Sequence, residues 1–345
     1  MFYEEKCTLC GECLSKCYYL DYSEEKAKEE FEKLINGENT PVTKNCVTCA
    51  RCNDICPEGA NPFDLINLRQ EETGTYVLDE KLTQDYINWT KMPTQIIKGD
   101  PEKPIMGTSI FNVPFLPGIF EGQLFEGLTL VGGRDFFSWM GFVHIGKPSS
   151  VNKETFQNLV DKYTELNVDE IYFYHEECYA AMNYWAKEYN IEVPFKTVHP
   201  FEYYRDYVKE YSDQVKKLNM KIAYHPPCSS RYVSGKDEVL DELFELIGVE
   251  RVKRTYDREG ALCCGTTLVT MKNVSREEEI GWKMKTIMDA KEAGAEAFVI
   301  LCPMCAINLR KLAYEQGMEP YLLSNLVRLA LGEELSHGGA AKTFD

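Results

Sequence analysis

A chain of 345 residues is longer than one compact core usually spans, so two or three domains are expected. Its 44% hydrophobic and 12% aromatic content is that of a globular protein rather than a disordered one. A formal net charge of −17 argues against nucleic acid or anionic lipid as a main partner. The opening MFYEEKC predicts no secretory leader, and the longest apolar run, around AFVILCPMCAI, is too short to predict a direct membrane span. A cytoplasmic location is expected, with any membrane association made through a partner. Fourteen cysteines in such a chain point to metal or redox chemistry rather than to disulfides. They are unevenly placed: eight fall within the first 56 residues, none lies between 57 and 177, and five of the last six follow residue 227.

The first element is CTLCGECLSKC, a C-x2-C-x2-C-x3-C run made of Cys7, Cys10, Cys13 and Cys17. CVTCARCNDICP repeats it with Cys46, Cys49, Cys52 and Cys56, followed by Pro57. Structural zinc would instead use two C-x2-C pairs well apart in sequence. The runs resemble the two-cluster ferredoxin pattern, in which the fourth cysteine of each run serves the other cluster. That pattern implies one 4Fe–4S cubane on Cys7, Cys10, Cys13 and Cys56, and a second on Cys46, Cys49, Cys52 and Cys17. Tyr18 stands where the first run would normally carry proline. Between the runs, SEEKAKEEFEKLI predicts a helix, so residues 1–72 resemble the helical ferredoxin domains of respiratory iron–sulfur subunits.

Residues 73–104 read as a connector, since KMPTQIIKGDPEKPIMG carries three prolines and little periodicity. Beyond it, VDEIYFY, MKIAYH and AEAFVIL predict buried strands. NKETFQNLVDKYTELN and SREEEIGWKMKTIMDAKEAG predict amphipathic helices leading into the first and last of these. The segments form an internal repeat. TFQNLVDKYTELNVDEIYFYHEEC and GWKMKTIMDAKEAGAEAFVILCPMC share a helix–strand–cysteine plan that ends at Cys178 and Cys305. Upstream, LFEGLTLVGGRDFFSWMG parallels LFELIGVERVKRTYDREGALCCG, which sets Trp139-Met140-Gly141 against Cys263-Cys264-Gly265. By the same alignment Ser109 falls near Cys228, and His175 matches Cys302. A first copy, 105–218, is expected to be a degenerate version of a second, 219–345, with Trp139 and Met140 filling the vacated space. The fold class is therefore α+β multidomain: a helical ferredoxin domain followed by two repeated α/β domains with small parallel sheets.

In the second copy, Cys228 is separated by 34 residues from Cys263-Cys264, and these by 37 from Cys302-x2-Cys305. Cys228 and Cys302 follow predicted strands, at the carboxyl edge where open α/β sheets build sites. Pro303 suits the first turn of a helix whose amides and dipole favour thiolates at Cys302 and Cys305. Gly265 lets the backbone bend so that both adjacent sulfurs face one centre. Five thiolates exceed what one zinc ion or one cubane uses. The pattern resembles the CCG, or cysteine-rich, domain of heterodisulfide reductases and related iron–sulfur oxidoreductases, and the domain layout extends that resemblance over nearly the whole chain. The resemblance implies a noncubane 4Fe–4S cluster on Cys228, Cys263, Cys264, Cys302 and Cys305 that acts on disulfides or thiols. Zinc, or an ordinary 4Fe–4S cubane with one free thiol, remains an alternative.

His225, three residues before Cys228, is a candidate proton donor to a leaving thiolate. Arg231, Arg254 and Arg258 are expected on the solvated surface, and VGGR (131–134) is too slight for a nucleotide loop. With no G-x-G-x-x-G after a strand, electrons must come from a partner subunit: a flavoprotein, a hydrogenase or a membrane cytochrome. The expectation is an oxidoreductase subunit active within a hetero-oligomer. Its alternative is a pure electron-transfer subunit with no substrate of its own.

Overall fold

The computed structural model describes residues 1–109, 118–138, 141–233 and 235–335. Trp139 and Met140, set by the repeat against Cys263 and Cys264, lie outside the described residues. The N-terminal region is helical. Its predicted helix runs Glu24–Ile35 behind Ser23, whose hydroxyl accepts the Lys26 amide, and it buries Ala27, Phe31 and Leu34 on one face. A second long helix, Pro62–Thr73, packs against the first and closes a small core around Leu14, Val42 and Ile66.

Both cysteine runs are wound alike. Leu9 and Thr48, two residues after the first cysteine of each run, have positive φ, as do Gly11 and Ala50, four residues after it. At Gly11 the φ of 82° and the Glu24 carbonyl, which would lie 2.9 Å from an added Cβ, leave room for glycine alone.

Nine strands among the described residues make two sheets: β1 (Gln95–Ile97), β2 (Ile105–Ser109), β3 (Thr129–Gly132), β4 (Glu170–Phe173), β5 (Lys196–Val198), β6 (Met220–His225), β7 (Val249–Arg251), β8 (Ala297–Ile300) and β9 (Glu319–Leu322). The first has order β1-β3-β2-β4-β5 and the second β7-β6-β8-β9. Apart from β1, which runs antiparallel to β3, every pairing is parallel. The same four-strand order thus appears twice, with β3, β2, β4 and β5 standing where β7, β6, β8 and β9 stand. Central strands covered on both faces should be apolar throughout, and all four residues of β8 are buried.

The helices that precede β4 and β8 open with matching caps. Asn152 and Thr155 form a capping box on Lys153–Thr164, and Ser275 and Glu278 form one on Arg276–Glu292. The segment predicted as a connector does more than connect. It holds the helix Glu80–Trp89 and the edge strand β1, and Leu78 bridges to Met271 in the second copy. Its prolines limit the pairing to three residues without preventing it.

Candidate metal centre

The eight N-terminal cysteines fall into two neighbouring groups. Cys7 and Cys13 are pushed up by burial and by the neighbouring thiols of Cys10 and Cys56. Cys52 is pushed well up by burial, with Cys46, Cys49 and Cys17 beside it, and Cys13 links it to the first group. Amides reach the sulfurs at both ends: Thr48 donates to Cys46 Sγ and Ala60 to Cys56 Sγ, each at 3.4 Å. An apolar cavity lies among Cys17, Cys46, Cys49 and Cys52, walled by Leu20, Val42, Phe63 and Ile66. Tyr18, in the place of the usual proline, packs edge-on against Tyr256 and carries the Arg51 guanidinium 4.2 Å over its ring.

Cys228, Cys263, Cys264, Cys302 and Cys305 line one cavity with about 870 Å³ of empty space, open water at its mouth included. Cys228 follows β6 through Pro226-Pro227, and Cys302 follows β8 as the N-cap of the helix Pro303–Glu315. The five sulfurs contact one another in sequence, Cys228 to Cys263, Cys263 to Cys264, Cys264 to Cys305 and Cys305 to Cys302. Hydrogen bonds from Cys263 and Cys305 hold Cys264 well below the usual thiol range, whereas Cys263 and Cys305 are held well above it. Cys302 sits at about 6, lowered by Cys305 and by His175.

A supporting chain stands behind Cys264. Glu279 accepts from Lys283 Nζ at 2.6 Å, Lys283 donates to Asn308 Oδ1 at 2.8 Å, and Asn308 Nδ2 donates to Thr266 Oγ1 at 2.8 Å. The Thr266 hydroxyl lies 3.1 Å from Cys264 Sγ, and its hydrogen bond helps hold the Cys264 thiol down. Gly265, with φ 87°, leaves no room for a Cβ against Lys283. No three His, Cys, Asp or Glu side chains among the described residues are arranged to hold a single ion.

The first copy supplies the opposite wall. Ser109 ends β2 and His175 follows β4, at the strand ends where the second copy carries Cys228 and Cys302, and both line the cavity. His175 caps the helix that begins at Glu176, accepting the Glu177 amide on Nδ1 at 3.2 Å. Burial opposes its protonation, but the Cys302 thiolate and the Glu177 carboxylate outweigh it and raise it to about 9. Cys178 is buried nearby, pushed up by that burial, with Ser109 and Ser138 as hydrogen-bond partners, and is not in the cavity wall. The N-terminal cysteine region and the segment after it contribute Thr48, Ala50 and Trp89.

His225 is placed differently from its expected role. It is 1% exposed, lies outside the cavity lining, packs on Phe298 with ring centroids 6.0 Å apart, and is driven down to about 4 by burial. It is therefore neutral at neutral pH rather than a ready proton donor. Two of the three arginines expected on the surface are buried instead. Arg254, its side chain fully buried, donates to the Tyr224 carbonyl at 2.7 Å and pairs with Asp289. Arg231 is inserted between the ferredoxin region and the second copy. Arg258 alone stays half exposed, paired with Asp237 and Asp241.

The N-terminal cysteine region meets the five-cysteine site directly. Cys49 is raised to about 11, first by burial, with Arg231 opposing and Cys228 adding to the rise. The Tyr19 hydroxyl accepts the Cys263 amide at 3.0 Å, and its ring packs on Trp282. Sequence reasoning passed over Tyr19, Thr266, Lys283 and Asn308, because nothing in their spacing marks them.

Comparison with known proteins agrees with this geometry. Residues 222–310 match the CCG cysteine-rich domain family. Over 314 residues, 81% of this chain and 73% of the relative, the chain is 23% identical to a subunit of the dihydromethanophenazine:CoB–CoM heterodisulfide reductase of Methanosarcina mazei. The corresponding subunit from Methanosarcina acetivorans is 22% identical over 81% of this chain and 73% of its own length. A subunit of the fumarate reductase (CoM/CoB) of Methanothermobacter marburgensis is 22% identical over 94% of this chain and 71% of its own length. The crystal structure of a hypothetical protein from Helicobacter pylori shares the fold, with a TM-score of 0.51 and 11% identity, over 81% of this chain and 59% of that one. No helix among the described residues is long and apolar enough to cross a membrane.

Proposed function

As a heterodisulfide-reductase-like iron–sulfur subunit with a CCG cysteine-rich domain, this chain, we propose, carries electrons from a partner subunit to a sulfur-chemistry site between its two α/β copies. The partner is a flavoprotein, a hydrogenase or a membrane cytochrome, within a hetero-oligomer. Cys7, Cys10, Cys13 and Cys56 would hold one 4Fe–4S cubane and Cys46, Cys49, Cys52 and Cys17 the other. Cys228, Cys263, Cys264, Cys302 and Cys305 would hold a noncubane 4Fe–4S cluster. Clusters so bound supply one-electron storage and transfer. The residues of the chain set the order, from Cys10 at one end, through the Cys13–Cys52 approach, to Cys49 beside Cys228.

At the last site a disulfide is reduced: the S–S bond breaks, two electrons arrive singly from the partner, and two protons convert the departing thiolates to thiols. The observation that carries this reading is the junction itself, where Cys49 neighbours Cys228 and Tyr19 receives the Cys263 amide. A second reading, a relay with no substrate of its own, is favoured by Ser109 and His175, which leave the first copy without matching sulfur ligands.

Anaerobic iron, sulfide and zinc analysis tests the first reading. About twelve irons and no zinc are expected for three clusters of four, and about eight irons with one zinc would overturn it. Cys264→Ser separates the readings: a disulfide- or thiol-dependent paramagnetic signal left unchanged by this substitution would leave only the relay.

A further inference from the structure

Arg231 is buried where the N-terminal region meets the second copy. Its side chain is 7% exposed, and Nη2 donates to the Ala261 carbonyl at 2.7 Å. Nε and Nη1 are sealed from solvent with no hydrogen-bond partner among the described residues. The nearest carboxylate oxygen, Asp54 Oδ2, stands 3.8 Å from Nη1, beyond hydrogen-bond reach. A guanidinium buried with two idle donors is costly unless negative charge is fixed beside it. The groups that face it are Cys49, from the N-terminal region, and Cys228, from the cysteine-rich site, both anionic as cluster thiolates, with the Asp54 carboxylate and the neutral Tyr19 hydroxyl alongside. Arg231 therefore lies between two groups of cysteine ligands, with the Asp54 carboxylate 3.8 Å away.

We propose that Arg231 is an electrostatic setter of reduction potential, holding a fixed positive charge between the Cys46/Cys49/Cys52/Cys17 cluster and the Cys228 site. This rests on the cluster reading above. Adding an electron makes a cluster more negative, and a cation a few ångströms away, in a low-dielectric interior, favours that state. The charge raises the potential of both neighbours together, so electrons drain toward the junction rather than resting on the outer Cys7/Cys10/Cys13/Cys56 cluster. Arg231 is not a ligand and transfers no proton. It acts through charge alone.

The test is a paramagnetic-resonance redox titration of the full chain, reconstituted anaerobically and matched for iron content. Arg231→Gln is expected to lower the potential of the Cys49-bearing cluster by tenfold or more in its one-electron equilibrium, about 59 mV. The outer cluster should move less. Arg231→Lys keeps the charge and should stay near the parent value. Asp54→Asn, which removes the opposing carboxylate from a half-exposed position, should shift the same cluster upward. A parent potential retained in Arg231→Gln overturns the proposal, as does a shift in Arg231→Lys as large as in Arg231→Gln. Should Arg231→Gln not load iron, the absence of an upward shift in Asp54→Asn overturns it. A parent protein with only about eight irons defeats the third-cluster reading, while the shift on the Cys49-bearing cluster still decides the role of Arg231.

Discussion

Residues 105–210 and 220–330 build the same four-stranded parallel core with the same strand order, and the helices leading into β4 and β8 carry the same kind of cap. They differ at the carboxyl edge of the sheet. Where the second copy places Cys228 and Cys302, the first places Ser109 and His175. The difference shows how separable the two properties are. The fold is spread over many buried residues, such as Phe156, Ile171 and Phe173 in one copy and Phe298, Val299 and Ile300 in the other. The cysteines of the candidate site stand just beyond the strand ends, so their replacement in the first copy leaves the sheet intact. The first copy keeps a structural role, since it closes the cavity opposite the five cysteines, and His175 remains in contact with Cys302.

Four experiments can break or sharpen this contrast. The largest effect is expected from Cys302→Ala, which should cost the protein about four of about twelve irons and leave the ferredoxin spectrum in place. Atomic absorption beside optical spectra checks it, and an unchanged iron count would place the cluster elsewhere. Next, Phe173→Ala and Phe298→Ala each remove a fully buried ring from a central strand, one in each sheet, and each should cost about 3–5 kcal/mol. Comparable falls in the thermal midpoint would show that the copies are equally packed. A much smaller fall for Phe173→Ala would mean that the first copy has loosened along with its site.

A more modest effect is expected at Glu202, which completes the capping box on Pro200–Glu210 in the first copy and accepts from Lys236 of the second at 2.6 Å. The matching helix Leu323–Ala330 has no side-chain cap. Burial alone would raise the Glu202 carboxyl, but Lys236 and the His199 amide outweigh it and hold it below 4.5. Its contribution is thus present above pH 4.5 and fades as pH falls through the lowered value. Glu202→Gln should destabilise by about 1 kcal/mol near pH 7, with the gap narrowing in acid. Melting curves across that range would expose the wrong sign if the gap widened instead. The smallest effect belongs to Cys178→Ser, which should leave iron content unchanged, because Cys178 lies outside the cavity wall. Loss of iron from this variant would restore a ligand role to the first copy.

Much of the site was legible in the sequence because cysteine spacing is local information. C-x2-C-x2-C fixes three sulfurs within a single loop, and the repeated φ pattern at Leu9, Gly11, Thr48 and Ala50 follows from that winding. Strands rich in buried residues, such as MKIAYH and AEAFVIL, were equally plain, since apolar runs bounded by caps report their own burial. The connector was harder to read: β1 is only three residues long and gains its stability from β3, far away in sequence. Arg231 and Arg254 read as surface residues because their charge fits water, and only the approach of other segments buries them. His225 likewise gains its burial and its lowered value from its surroundings and not from its own chemistry.

The sequence by itself determined the two cysteine runs, the repeat and the five-cysteine set, because each depends on spacing along the chain. Only the tertiary structure decided that Cys49 lies beside Cys228, that Ser109 and His175 face those five sulfurs, and that Arg231 is sealed between Cys49 and Cys228. Those contacts join residues far apart along the chain. Such pairs form when distant segments bury their apolar faces against one another, and no local periodicity encodes them.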